Sequence, residues 1–443
     1  MAKNEGILIN NGRFLKVGTA DLPADTANLT ILILNDDGYL LPGLVDLHAH
    51  YRMEAFGHEN QRWVDEFKYN AIVYLANGVT STFPAGVYYP HLEHAAAKRI
   101  NTGQQIGPRI WPAGPYFGSA RPGWSEEKMT EKRIQEEVDY WVRKGVAGFK
   151  AKGADPDELR ALIERAHQHG LRVTGHLGSG YRNSTNSKTA IDMGIDRVEH
   201  ILGGHVLDPE KRAYPVWNKV DTTSTDFHEV VNYFIEHRVY FDATINAPVY
   251  FTTVSDKEGF DYWMDEPSLF TPYVQKLVEQ KKRSKSELMD GLYGAMRRTT
   301  RAFYDAGGED LVTLGTDAPS HGRFLAGFGA HREMHTMVLA GIPPAGVLRI
   351  ATLNSAEALG KGDILGSIEA GKLADCFVVE GNPLEDITHT RNVDLVIKNG
   401  ILFDPVELLE SVKGKIGPAG PDEVENWFKY PELLEEKEKA DRE

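Results

Sequence analysis

The sequence predicts an α/β chain, a (β/α)8 TIM-like barrel carrying a small β-sandwich domain built from both termini. Three observations carry that prediction. Between residues 43 and 359, apolar runs of strand length alternate with amphipathic runs of helix length. An Asn-Gly pair flanked by short β-prone runs stands near each end of the chain. The run Leu41 to His50, LPGLVDLHAH, ends in two histidines one residue apart, where a barrel strand would open onto the face on which barrel sites are built.

Taken in order, Ile7 to Ile9 and Arg13 to Val17 bracket Asn11-Gly12, a type I′ hairpin signal. Leu395 to Ile397 and Ile401 to Phe403 bracket Asn399-Gly400 in the same way. Matching hairpins at opposite ends place residues 1–42 and 360–405 in one small β-domain, with the barrel inserted at 43–359 and a charged extension at 406–443. Barrel strands are expected at 43–48, 79–84, 108–114, 146–151, 172–176, 196–200, 239–245 and 311–316. Helices are expected at 61–76, 90–102, 130–144, 156–169, 187–193, 224–237 and 283–306, with stops at Asn77-Gly78, Gly145 and Gly307-Gly308. Eight strands with crossover helices favour a closed parallel barrel over an open doubly wound sheet. Residues 247–282 fit no simple strand or helix of that barrel. With Tyr250, Phe251, Phe260, Tyr262, Trp263, Phe270 and Tyr273 they read as a rim insertion, either an aromatic lid or a homo-oligomer contact.

Composition narrows the function. The 443 residues are 41% hydrophobic and 26% charged, as in an ordinary globular protein. The net charge of −15 argues against nucleic acid or an anionic membrane as a partner. Part of that charge is local, since 422–443 holds nine acids against four bases and reads as a solvated helix or frayed tail. The single cysteine, Cys376, excludes an internal disulfide and, inside LADCFVVE, reads as a small core residue. No run approaches the roughly 18 apolar residues of a membrane span, and MAKNEGILIN has no signal-peptide core. A cytoplasmic location is therefore expected, although a chain whose leader had been removed would read the same way.

A strand repeats every two residues, so His48 and His50 project from one face as two ligands of one metal would. The same spacing recurs at His167 and His169, but there Asp155-Pro156-Asp157-Glu158 and Gly170 frame a helix. Two residues on a helix turn roughly 200°, so those rings diverge and read as cations near a helix C-terminus.

The ends of the other strands add Lys150 in GVAGFKAKG, His176 in RVTGH, His200 in IDRVEH and Asp317 in VTLGTD. Taken singly, each has a plain reading: a packed or solvated histidine, a helix-capping aspartate, a surface lysine. Jointly they form a ring at one end of one barrel.

That ring, HAH with the strand-four lysine, two single histidines and the strand-eight aspartate, resembles the metal signature of the amidohydrolase superfamily. Thr352 to Leu384, TLNSAEALGKGDILGSIEAGKLADCFVVEGNPL, is similar to the stretch by which such chains leave the barrel for the β-sandwich. The resemblance runs from about residue 7 to 404. It is nearest to the dipeptidase, prolidase-like, imidazolonepropionase and N-acyl-amino-acid hydrolase branch.

The resemblance implies a binuclear centre of two divalent ions, with His48, His50 and Asp317 holding one and His176 and His200 the other. Lys150, carboxylated on its side-chain nitrogen, would bridge them, and Lys152 on the same strand face is the alternative. Nitrogen and carboxylate ligands suit Zn2+, with manganese, iron or nickel also compatible. A water shared by the metals would attack a small-molecule amide such as a dipeptide or N-acyl amino acid, with Asp317 as the catalytic proton carrier. Arg52 and Arg182 would pair with a substrate carboxylate, and Tyr181, His205 and His321 would polarise its carbonyl. His331 and His335 share a helix face beyond strand eight and read as supporting residues. The rival readings are a deaminase, which would use one metal and no bridging lysine, a lactonase or phosphotriesterase, and a non-catalytic scaffold.

Overall fold

The computed structural model describes residues 6–18, 30–51, 59–60, 63–87, 90–121, 129–178, 185–202, 217–253, 266–280, 286–319 and 325–425. Among them eight barrel strands occur in chain order: Leu44–Ala49, Val79–Pro84, a split third strand of Arg109–Ile110 and Ala113–Phe117, Gly148–Lys152, Arg172–His176, Arg197–Glu199, Tyr240–Asp242 and Val312–Thr313. Strands three to eight form one parallel sheet and strands one to three another. Hydrogen bonds beyond the regular ladders close both seams. Strand one meets strand eight where Leu47 donates to Leu314, Asp317 to His48 and His50 to Ala318, at 2.9–3.0 Å. Strand two meets the second half of strand three through Trp111 donating to Thr82 and a Val87–Pro115 bridge. The third strand is split at Pro112, which has no N–H for the ladder and instead accepts from Ala147.

The helices stand within a few residues of their expected bounds, because their end signals are local. Thr130 caps Glu131–Lys144, which stops at the left-handed Gly145. Asp155 and Glu158 form a reciprocal capping box on Pro156–Gln168. The expected 283–306 helix is Glu287–Phe303, running into a π turn at Tyr304–Gly308.

Described segments from the two ends of the chain pack together. The Gly6–Asn10 and Arg13–Gly18 hairpin packs beside an antiparallel sheet ordered Ile401–Phe403, Val393–Lys398, Cys376–Glu380, Gly38–Pro42. Asn11, Gly12, Asn399 and Gly400 all have positive φ, and the two turns touch: a side chain on Gly12 would lie 3.0 Å from the Asn399 carbonyl. Cys376 packs with Phe14, Ala374 and Ile397 on the hairpin side, whereas Phe377 and Val379 join the barrel core. Both faces of CFVV are therefore covered, which accounts for its unbroken apolar run. Burial pushes the Cys376 thiol up to about 12.

Of the segment read as a rim insertion, residues 254–265 and 281–282, with Phe260, Tyr262 and Trp263, lie outside the described residues; its described part contains a helix, Pro272–Gln280, and a buried Phe270. The extension begins with an amphipathic helix, Pro405–Val412, whose Leu408 and Val412 enter the barrel core with Ile416, while 426–443, most of the acidic stretch, lie outside the described residues. From there the chain bonds to residues 268–271 and then pairs Val424–Glu425 with Glu59–Asn60. No helix among the described residues is long and apolar enough to cross a membrane.

Candidate metal centre

Strand one places Asp46, His48 and His50 on one face at successive levels of the barrel. The buried Asp46 carboxylate accepts from the His48 N–H, at 3.0 Å, and from the Thr316 hydroxyl, at 2.7 Å, tying strand one to strand eight. Burial raises Asp46 to about 6 against the pull of those bonds. Above it, His48 Nε2 lies 3.1 Å from Lys150 Nζ and 3.5 Å from Asp317 Oδ1. His50 Nε2 lies 3.0 Å from the same Asp317 oxygen.

Strand six turns a simple alternation into a two-level site. Arg197 and Glu199 occupy the inward positions, so a regular strand would send His200 outward. Instead His200 has φ 68°, which breaks the alternation, and its ring stands 4.4 Å from His176 and 4.8 Å from His48. His48, His50, Lys150, His176, His200 and Asp317 thus meet at the C-terminal end of the barrel. Lys150, rather than Lys152, reaches His48; Lys152 lies over the Tyr116 ring.

The electrostatics suit cation binding. Burial lowers His48 and His176 well below the ordinary histidine range and His200 to about 4, so these imidazoles are neutral donors at physiological pH. Burial opposes ionisation of Asp317, but the His50 hydrogen bond and the field of His200 and Lys150 overcome it and hold the carboxyl below its usual range. Burial also lowers Lys150, with Glu199 opposing. Ligand atoms of His48, His200 and Asp317 lie within 4.8 Å of one another, as do those of His176, Glu199 and His200, and of His48, Glu199 and Asp242. Neutral imidazoles with carboxylates at that spacing are a donor set that fits a divalent ion.

Three buried acids in this cluster escaped the reading of the sequence. Glu199 stands 2.6 Å from Lys150 Nζ, Asp242 stands 3.3 Å from His48 Nδ1, and Asp46 accepts the His48 N–H at 3.0 Å. Each carried a signal: Glu199 precedes His200, Asp242 interrupts the apolar run VYFDATI, and Asp46 shares the period of His48 and His50. Of the proposed substrate contacts, Arg52, Tyr181, Arg182, His205 and His321 lie outside the described residues. His167 and His169 do diverge, pairing with Asp196 at 3.0 Å and Asp139 at 2.8 Å. His331 bonds Thr390 at 3.1 Å and packs the barrel against residues 387–391.

The model of the Amidohydrolase family matches residues 39–402. The chain is similar to the enamidase of Eubacterium barkeri, 26% identical over 209 residues that make up 45% of this chain and 51% of that one. It therefore spans about half the length of the curated relatives it matches. Among solved structures it resembles a Xaa-Pro dipeptidase with bound methionine, with TM-score 0.66, 23% identity, and 90% and 94% of the two chains covered. It also resembles the A. niger ochratoxinase, with TM-score 0.63, 20% identity, and 96% and 95% covered.

Proposed function

The chain belongs to the amidohydrolase family, and from that premise we propose that it is a metal-dependent hydrolase cleaving an amide or peptide-like C–N bond in a small molecule. The observation that carries the proposal is the convergence on His48 Nε2 of Lys150 Nζ, at 3.1 Å, and Asp317 Oδ1, at 3.5 Å, from positions far apart in the chain. A dipeptide or N-acyl amino acid is the substrate class, supported by the likeness to a Xaa-Pro dipeptidase and an ochratoxinase.

In this reading His48, His50 and Asp317 are donors to one divalent ion, and His176 and His200 to a second. Lys150, if its neutral amine adds to carbon dioxide with loss of one proton, would supply a carbamate as a further anionic donor beside His48. Burial of Lys150 favours that reaction by enlarging the neutral, nucleophilic fraction. When bound, the ions, Zn2+ first among those suited to nitrogen and carboxylate donors, supply acidified water and polarise the scissile carbonyl.

The chain's own groups do the rest. Asp317, kept anionic and oriented by His50, takes the proton of the attacking water and delivers it to the leaving nitrogen, releasing a carboxylic acid and an amine. Asp242 at His48 Nδ1 orients that ring so that its Nε2 faces the cluster. A hydrolysis screen of metal-replete protein over dipeptides, N-acyl amino acids, lactones and aminated bases tests the proposal. Amine release from the first two classes supports it; turnover confined to lactones or aminated bases rejects it.

A further inference from the structure

Strand seven contributes none of the six converging side chains, yet the segment that follows it touches a histidine of the cluster. Thr244 Oγ1 lies 2.7 Å from His200 Nδ1, fixing which ring nitrogen is turned inward. Thr244 is β-branched and has φ 44°, a left-handed conformation that such residues hold only when their surroundings enforce it.

The two residues that follow Thr244 are held from the helix Phe328–Leu339. Glu333, fully buried, accepts the N–H of Ile245 at 2.8 Å with one oxygen and the N–H of Asn246 at 2.7 Å with the other. Both oxygens of a buried carboxylate are thus spent on the two residues that follow Thr244. Gly329, one helical turn earlier on the same face, lets the helix lie close to the chain after strand eight, since a Cβ there would stand 2.8 Å from the Ala318 side chain. Burial raises Glu333 to about 8, against the two amide bonds that favour its anion.

We propose that Glu333 is a positioning residue for His200: by clamping residues 245–246 it holds Thr244 in its left-handed conformation and so fixes the His200 ring for a cation. The inference rests on the proposed role of His200 as a metal donor. A glutamate that served only to satisfy buried amides would matter to folding but not to the ring; one acting through Thr244 must show its effect in metal affinity and lose it when Thr244 is already disabled.

The test is a double-mutant cycle on the full chain, reading Zn2+ affinity by competition with a chromophoric chelator and stability by thermal melting. Thr244→Val keeps the branched shape and removes the hydroxyl; Glu333→Gln replaces one acceptor oxygen with a donor facing an N–H. Each single variant is expected to weaken the His200-dependent ion about 10- to 100-fold, the range for lost ligand-orienting partners. The double variant is expected to be no weaker than the weaker single. If Glu333→Gln lowers the melting temperature but leaves affinity unchanged, or if the two losses multiply in full, the inference is overturned. Should Glu333→Gln fail to fold, Glu333→Asp, which keeps the carboxyl group and shortens the reach, enters the same cycle with the same criteria. Wild-type protein that takes up no Zn2+ would overturn the proposed function and this inference with it, whereas normal uptake with multiplying losses overturns this inference alone.

Discussion

Lys150 Nζ and Glu199 Oε2 stand 2.6 Å apart in the barrel interior, both side chains sealed from solvent. A buried ammonium deprived of its counter-charge is costly, about 3–5 kcal/mol when one partner of such a pair is removed. Carboxylation would turn the lysine from cation to anion and the attraction to Glu199 into repulsion. Glu199→Gln should therefore lower the melting temperature steeply in chelator-treated protein and far less in metal-loaded protein supplied with bicarbonate. An equal loss in both conditions speaks against a carboxylated Lys150.

Asp317→Asn removes the proton carrier but keeps shape and hydrogen-bonding capacity toward His50. Amide hydrolysis should fall by at least roughly 10²–10⁴, the contribution of general acid–base catalysis, in variant protein that elemental analysis shows to carry its ions and thermal melting shows to be folded. Near-normal turnover in Asp317→Asn would remove Asp317 from proton transfer.

The helices Glu131–Lys144 and Pro156–Gln168 are joined by Asp139, which accepts two 2.7 Å bonds from Arg165 and lies 2.8 Å from His169. The Arg165 hydrogen bonds, aided by His169, hold Asp139 at about 2, below its unfolded value of about 3.9. A carboxyl depressed by folding stabilises above its unfolded pKa and loses that contribution as pH falls through the folded one. Asp139→Asn should accordingly be less stable than wild type above pH ~4, by about 1 kcal/mol given the partial exposure of the pair, and the two should converge near pH ~2. Parallel melting curves across that range, with a constant gap, would contradict the assignment.

Much of the architecture was readable because its signals are local. Asp155 with Glu158, Thr130 with Gly145, and the two Asn-Gly turns specify their own backbone, and the structure departs from them by a residue or two. The ring of strand-end residues was readable for a related reason, since a barrel carries every strand's C-terminal end to one face. What resisted reading depends on the backbone leaving the regular pattern. His200 enters the cluster through a left-handed residue, and that same turn leaves Glu199 at an inward position that alternation counted from His200 would have sent outward. Glu333 lies between His331 and His335, the residues that drew notice on that helix, and its role is set by two backbone amides some 90 residues earlier, which no local pattern reports. The docking of Pro405–Val412 and Ile416 was likewise hidden, because a charged composition masked a narrow apolar stripe.

In the proposed function, side chains from separate strands hold divalent ions on which amide hydrolysis depends. Elemental analysis of protein purified without chelator, with hydrolysis assayed on the same samples, tests it most directly. Two divalent ions per chain are expected, with His176→Asn losing one of them together with the activity. Wild-type protein free of divalent metal that hydrolyses amides at an undiminished rate would contradict it.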